Sequence, residues 1–135
     1  MANYCDNTIQ IYDFEDEKKI KTLNKKIETA IKNKNNLLNI VVTPKQLNKI
    51  WEKGILNIAN KLGTKWLFAN DIYKNKDLIE LYADSAWSPP TGWAVKLSKR
   101  YKCSVKIKFD EPGIGFMGTF TAKNGEIIKN KIIEY

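Results

Sequence analysis

Gly63-Thr64-Lys65-Trp66 and Ala86-Trp87-Ser88-Pro89-Pro90 frame the middle of the chain, and their reading decides the fold class. Gly63 closes a helical pattern, because a residue that turns into the left-handed region there carries no Cβ penalty. Between the two motifs, Trp66 to Tyr73 and Leu78 to Ala83 have strand character. The polar Lys74-Asn75-Lys76-Asp77 separates them, so they read as a hairpin. Ser88 then caps a short helix entered through Pro89 and Pro90, with Trp93, Ala94, Leu97 and Tyr101 on its inner face. A hairpin entered from one helix and left into another specifies an α+β domain.

Working outward, Thr8 to Tyr12 alternates polar and apolar residues and predicts a first strand. Asp13 is the expected cap of the helix that follows; Asp16 and Glu17 suit its positive end, and Ile20, Leu23, Ile27 and Ile31 recur at three- and four-residue steps. The opposite face carries Lys18, Lys25 and Lys32 at seven-residue spacing. Leu37 to Val42 is an apolar run without a deciding period. Thr43-Pro44-Lys45-Gln46 predicts a capped helix start, with Leu47, Ile50, Trp51, Ile55, Ile58 and Leu62 as one buried stripe ending at Gly63. After the second motif comes a β-meander: Val105, Ile107 and Phe109 alternate with Ser104, Lys106 and Lys108, Glu111-Pro112-Gly113 turns, and Asn124-Gly125 is a type I′ hairpin signal.

At 135 residues with 43% hydrophobic side chains, the chain fits one domain (1–135) with a helical insert at about 37–62 and one core. No segment has the length of apolar sequence a membrane span needs, and the polar start lacks signal-peptide character, so a cytoplasmic protein is expected. Cys5 and Cys103 fall in predicted strands and read as buried thiols. With no histidine in the sequence, His-based metal, haem and triad chemistry is excluded. The net charge of +8 suits an anionic partner, but it is almost all lysine, Arg100 being the only arginine. Arginine is the usual bidentate reader of guanine, so the expectation is non-specific rather than sequence-specific nucleic-acid contact.

Asn3-Tyr4-Cys5 with Asn7-Thr8, the two framing motifs, Leu97-Ser98 and Gly115-Phe116-Met117-Gly118 resemble, in that order, the YubB-type ferredoxin-like family of phage, prophage and plasmid proteins. The familiar pattern has Trp where this chain has Tyr4. The resemblance implies a ferredoxin-like sandwich: a largely antiparallel sheet with helices packed on one face and a C-terminal β-meander. It implies a mobile-element origin and brings no activity or cofactor with it; two cysteines cannot supply the four thiolates of an ordinary iron–sulfur cluster.

Without a catalytic constellation, the expectation is a non-enzymatic interaction protein. The leading expectation is an anti-CRISPR-like inhibitor that occludes a host nucleic-acid-guided defence nuclease. A nucleic-acid-binding accessory protein is the alternative, and a carboxylate-dependent hydrolase the weaker one. Expected partners are a host protein or ribonucleoprotein complex, with non-specific nucleic acid as a further partner and no membrane. The partner-binding residues are read as Lys18, Lys25, Lys32 and Lys65, with no cofactor, metal or catalytic residues. Asp84, beside Ala86-Trp87, and Asp110-Glu111, before a glycine turn, are the carboxylates whose context hints at a cleft. An RNA-binding sheet would need Phe116 and Phe120 on its open face.

Overall fold

A computed structural model describes residues 4–135. Strand β1 (Tyr4–Tyr12) leads into helix α1 (Glu17–Lys32), a 3-10 turn (Leu37–Ile40), α2 (Pro44–Glu52) and α3 (Ile55–Leu62). The hairpin β2 (Leu67–Lys74) and β3 (Ile79–Ala86) follows, then α4 (Thr91–Tyr101) and the meander β4 (Ser104–Glu111), β5 (Phe116–Lys123) and β6 (Glu126–Glu134). The six strands form one antiparallel sheet in the order β2-β3-β1-β4-β5-β6. Its first four strands have the ferredoxin-like arrangement, and β5 and β6 extend it beyond β4.

Period-two alternation decides which face is covered. Cys5, Asn7, Ile9 and Ile11 of β1, Ile79, Leu81, Ala83 and Ser85 of β3, and Val105, Ile107 and Phe109 of β4 are buried. They form one core with Ile20, Leu23 and Ile27 of α1, Ile58 and Leu62 of α3, and Trp93, Ala94 and Leu97 of α4. Trp93 is fully buried, and its indole Nε1 donates to the Leu37 carbonyl at 2.9 Å, which ties the 3-10 turn to α4. No helix of the described residues is long and apolar enough to cross a membrane.

Several local expectations change. Asp16, not Asp13, caps α1, accepting from the Lys18 amide at 2.9 Å, while Asp13 has a positive φ of 55°. The predicted single helix from Thr43 to Gly63 breaks at Lys53-Gly54, where Gly54 has φ 99°. That break turns Trp51 and Ile55 out of the stripe and leaves both exposed. The Thr43/Gln46 capping box does form. Ser88 does not cap α4, whose N-cap is Pro90 with no side-chain cap; its hydroxyl instead donates to the Gly63 carbonyl. Cys103 lies just before β4 rather than in it, and both thiols are free, buried and pushed up to about 12, first by burial.

The framing motifs are a structural knot. Thr64 Oγ1 lies 2.9 Å from both the amide and the carbonyl of Ala86, and Ser85 Oγ donates to the Ser88 carbonyl at 2.6 Å. Buried Asn7 reaches from β1 to the carbonyls of Cys5 and Ala83 at 3.0 and 3.2 Å and to Ser85 Oγ at 2.9 Å. These buried polar side chains are satisfied by backbone groups and by each other, as burial requires. Glycine is needed where the chains cross: a Cβ on Gly92 would lie 2.2 Å from the Lys61 carbonyl oxygen. A side chain there forces α3 and α4 apart.

Candidate functional site

With every helix on one side, the other residues of the same strands form an uncovered sheet face. Asp6, Thr8 and Gln10 of β1 alternate with the buried set, as do Glu80, Tyr82 and Asp84 of β3 and Lys106, Lys108 and Asp110 of β4. Strand register sorts this face into rows. The first runs Phe68, Asp84, Asp6, Asp110, Met117, Ile133 from β2 to β6. The second runs Asp71, Tyr82, Thr8, Lys108, Thr119, Lys131, and the third Tyr73, Glu80, Gln10, Lys106, Thr121, Lys129.

Two consequences follow from that register. The β2-β3-β1 half of the face gathers Asp6, Asp71, Glu80 and Asp84 on a chain of net charge +8, while the β4-β6 half carries Lys106, Lys108, Lys129 and Lys131 beside Asp110. Asp6 is directly opposed to Asp84 on one side and Asp110 on the other. Like charges so placed destabilise a sheet. Partial loss of hydration, then the charge of Asp84 and a hydrogen bond with it, then Asp110, push the Asp6 carboxyl above its usual range. The ends of the row are held: Asn70 Nδ2 donates to Asp84 at 3.0 Å, and the Tyr135 hydroxyl donates to Asp110. That bond is the first cause of a Tyr135 hydroxyl pushed up to about 12. A shallow concavity of about 420 Å³ lies over the row, lined also by Tyr82, Asn70 and Lys108. Among the described residues no group of three or more His, Cys, Asp and Glu side chains is placed to hold a metal ion; the three aspartates stand side by side on three strands.

An aromatic rim adjoins the row. Tyr4 and Trp66 meet edge to face with centroids 5.4 Å apart, and Trp66 and Phe68 at 5.6 Å. Around the corner, Lys65 Nζ sits 4.4 Å from the Trp87 ring centroid and 5.6 Å from that of Trp51. Both indoles are partly exposed, and Trp87 has a positive φ of 63°, an outlier for a bulky residue. Trp87 is therefore not the buried wedge that its place at a strand–helix junction suggests.

The residues singled out from sequence are not brought together. Lys18, Lys25 and Lys32 lie exposed on the outer face of α1, opposite Ile20, Leu23 and Ile27. Lys65 is half-buried between its two indoles. Asp84 and Asp110 do share a site, bridged by Asp6, which no sequence signal marked beyond its place in an alternating strand. Glu111 is separate: fully buried, it accepts from the Gly113 and Ile114 amides at 2.8 and 3.0 Å and shapes the turn. Phe120 is in the core and Phe116 packs on Phe109, so neither lies on the open face. Arg100 is engaged with the Ile40 and Val41 carbonyls at 2.6 and 3.0 Å.

Comparison with known proteins gives a family and a distant structural likeness. Residues 64–135 match the family model described as the ferredoxin-like domain in Api92-like protein. The protein api92 from Yersinia pseudotuberculosis is similar at 22% identity and a TM-score of 0.46, over 58% of this chain and 28% of that one. The region compared is thus little more than a quarter of that protein's length. None of the curated proteins matches the chain.

Proposed function

We propose, from the premise that the chain belongs to the family of ferredoxin-like domains in Api92-like proteins, that it is a non-catalytic binding protein whose open sheet face docks on a basic surface of a host complex. In this reading it is a YubB-type protein of a phage or plasmid, and the complex is a nucleic-acid-guided defence nuclease whose nucleic-acid path it occludes in the cytoplasm. The observation that carries the reading is the Asp84–Asp6–Asp110 row. It opposes like charges and has no ion pair among the described residues. A lysine- or arginine-lined groove would relieve that repulsion, and complementary charge gives both rapid encounter and orientation. The aromatic rim of Tyr4, Trp66 and Phe68 supplies large rigid contact area beside it. Lys18, Lys25 and Lys32, read from sequence as partner-binding residues, in this reading draw the protein toward the anionic nucleic acid of the same ribonucleoprotein.

The test is a plaque assay in bacteria carrying one guided nuclease system at a time against a targeted phage. Expression of the chain is expected to restore plating in one of them, and Asp6→Asn with Asp84→Asn and Asp110→Asn to abolish that restoration while the variant stays folded. Unchanged restoration by the triple variant contradicts the assignment of the face.

A second reading, a nucleic-acid-binding accessory protein, is supported by Lys65 between the exposed indoles of Trp51 and Trp87, which offers a cation beside stacking surfaces. Titration of labelled single-stranded DNA or RNA at about 150 mM salt separates the two. Submicromolar affinity lost in Trp51→Ala with Trp87→Ala favours it; weak, salt-sensitive binding indifferent to those changes does not.

A further inference from the structure

Strand β6 is the edge of the sheet, and every residue in it from Glu126 to Glu134 is exposed. Four of them are isoleucines: Ile127, Ile128, Ile132 and Ile133 are 60%, 61%, 58% and 47% exposed. Their exposure on both faces sets β6 apart from β2, the other edge, which α1 and the 3-10 turn pack against. A long apolar edge with a free row of backbone donors and acceptors is a template for another strand.

The sequence of β6 says which strand it refuses. Glu-Ile-Ile-Lys-Asn-Lys-Ile-Ile-Glu over residues 126–134 is a palindrome centred on Asn130. Two copies pairing edge to edge across a two-fold axis run antiparallel, and full overlap sets Lys129 against the other copy's Lys131. Sliding the pairing by one two-residue step either way sets Lys129 or Lys131 against its own counterpart. Every well-overlapped self-pairing therefore opposes ammonium groups, which is unfavourable. A bulge that leaves Ile128 unpaired against β5 kinks the same edge. The lysines that repel a second copy complement a strand that carries carboxylates opposite them.

We propose that β6 receives an extended acidic segment of a partner protein as a seventh strand, with its acidic residues facing Lys129 and Lys131 and its apolar residues covering the isoleucine pairs. Backbone hydrogen bonds supply the affinity and the charge pattern the selection. This surface is independent of the open-face row, and either assignment stands if the other fails.

The probe is a fluorescein-labelled seven-residue peptide with isoleucine and valine at each end, glutamates at its third and fifth positions and threonine between them. The control replaces both glutamates by lysine. Fluorescence anisotropy with the full chain is expected to show at least ten-fold tighter binding of the glutamate peptide. Lys129→Glu with Lys131→Glu, surface changes whose fold is checked by circular dichroism, is expected to reverse the preference. Failure of the glutamate peptide to bind, or equal binding of both peptides, overturns the proposal. So does a concentration-dependent dimer of the unmodified chain in light scattering that the charge-reversed variant loses.

Discussion

The two faces of the sheet are made by the same strands and differ in every other respect. On the helix side, alternate residues of β1, β3 and β4 enter a continuous core; the buried Asn7 and Ser85 bond to each other and Thr64 to the Ala86 backbone. On the open side, one row of three opposes carboxylate to carboxylate, Asp84 to Asp6 to Asp110, with no ion pair to any of them among the described residues. Burial accounts for the first face, with the buried Tyr101 hydroxyl left without a hydrogen-bond partner among the described residues. On the second, the aspartate row is arranged against stability, and the proposed docking reading rests on that row.

The largest effects of substitution should accordingly fall on the covered face. Trp93→Ala removes a fully buried indole together with its bond to Leu37 and should cost about 3–5 kcal/mol in denaturant unfolding. Gly92→Ala, which drives a methyl group against the Lys61 carbonyl, should be comparably damaging. Trp87→Ala is the informative contrast. Partly exposed and held by Lys65, it should cost less than about 2 kcal/mol; a loss as large as that of Trp93 would move the boundary between the faces.

Next comes the knot. Asn7→Ala removes the buried hydrogen bonds to the Cys5 and Ala83 carbonyls and to Ser85 Oγ and should cost about 1–3 kcal/mol. Serine at position 7 should recover little, because it is too short to span from β1 to β3.

The smallest effect has the opposite sign. The Asp6 carboxyl is raised above its usual range, so its charged form is penalised in the fold and not in the unfolded chain. The penalty is present above the folded-state pKa and is relieved as the pH falls through it. Asp6→Asn should therefore stabilise the protein at neutral pH, by less than about 1 kcal/mol because solvent screens the site. That gain should shrink as thermal melts are repeated toward pH 4. A destabilised Asp6→Asn at neutral pH would mean that the row is held together by interactions within the chain.

Most of the covered face was legible in the sequence, because burial leaves a period. The alternation of β4, the spacing of Ile20, Leu23 and Ile27, the Thr43 capping box and the Asn124-Gly125 turn each specify local structure by a local signal. In the framing motifs Gly63 was legible as the helix stop, whereas Ser88, read as a cap, and Thr64 instead interlock two junctions far apart in sequence. The errors fell where the competing signal was weak. Gly54 broke a helix whose apolar spacing continues through it, and Asp16 took the cap that Asp13 could also have supplied. The open face was not legible, since Asp6, Asp84 and Asp110 lie far apart in sequence and only strand register sets them in a row. The α1 lysines, by contrast, were visible from sequence because helical spacing displays them, and display says nothing of contact.

The comparison of faces comes to one kinetic measurement on the guided nuclease complex that the plaque assay identifies. Surface-immobilised complex is titrated with the wild-type chain, with Asp6→Asn, Asp84→Asn and Asp110→Asn combined, and with Lys18→Glu, Lys25→Glu and Lys32→Glu combined. The open-face variant should dissociate at least ten-fold faster, and the α1 variant should associate several-fold more slowly with an unchanged dissociation rate. A folded open-face variant that dissociates as slowly as the wild type would contradict the assignment of the aspartate row as the docking surface.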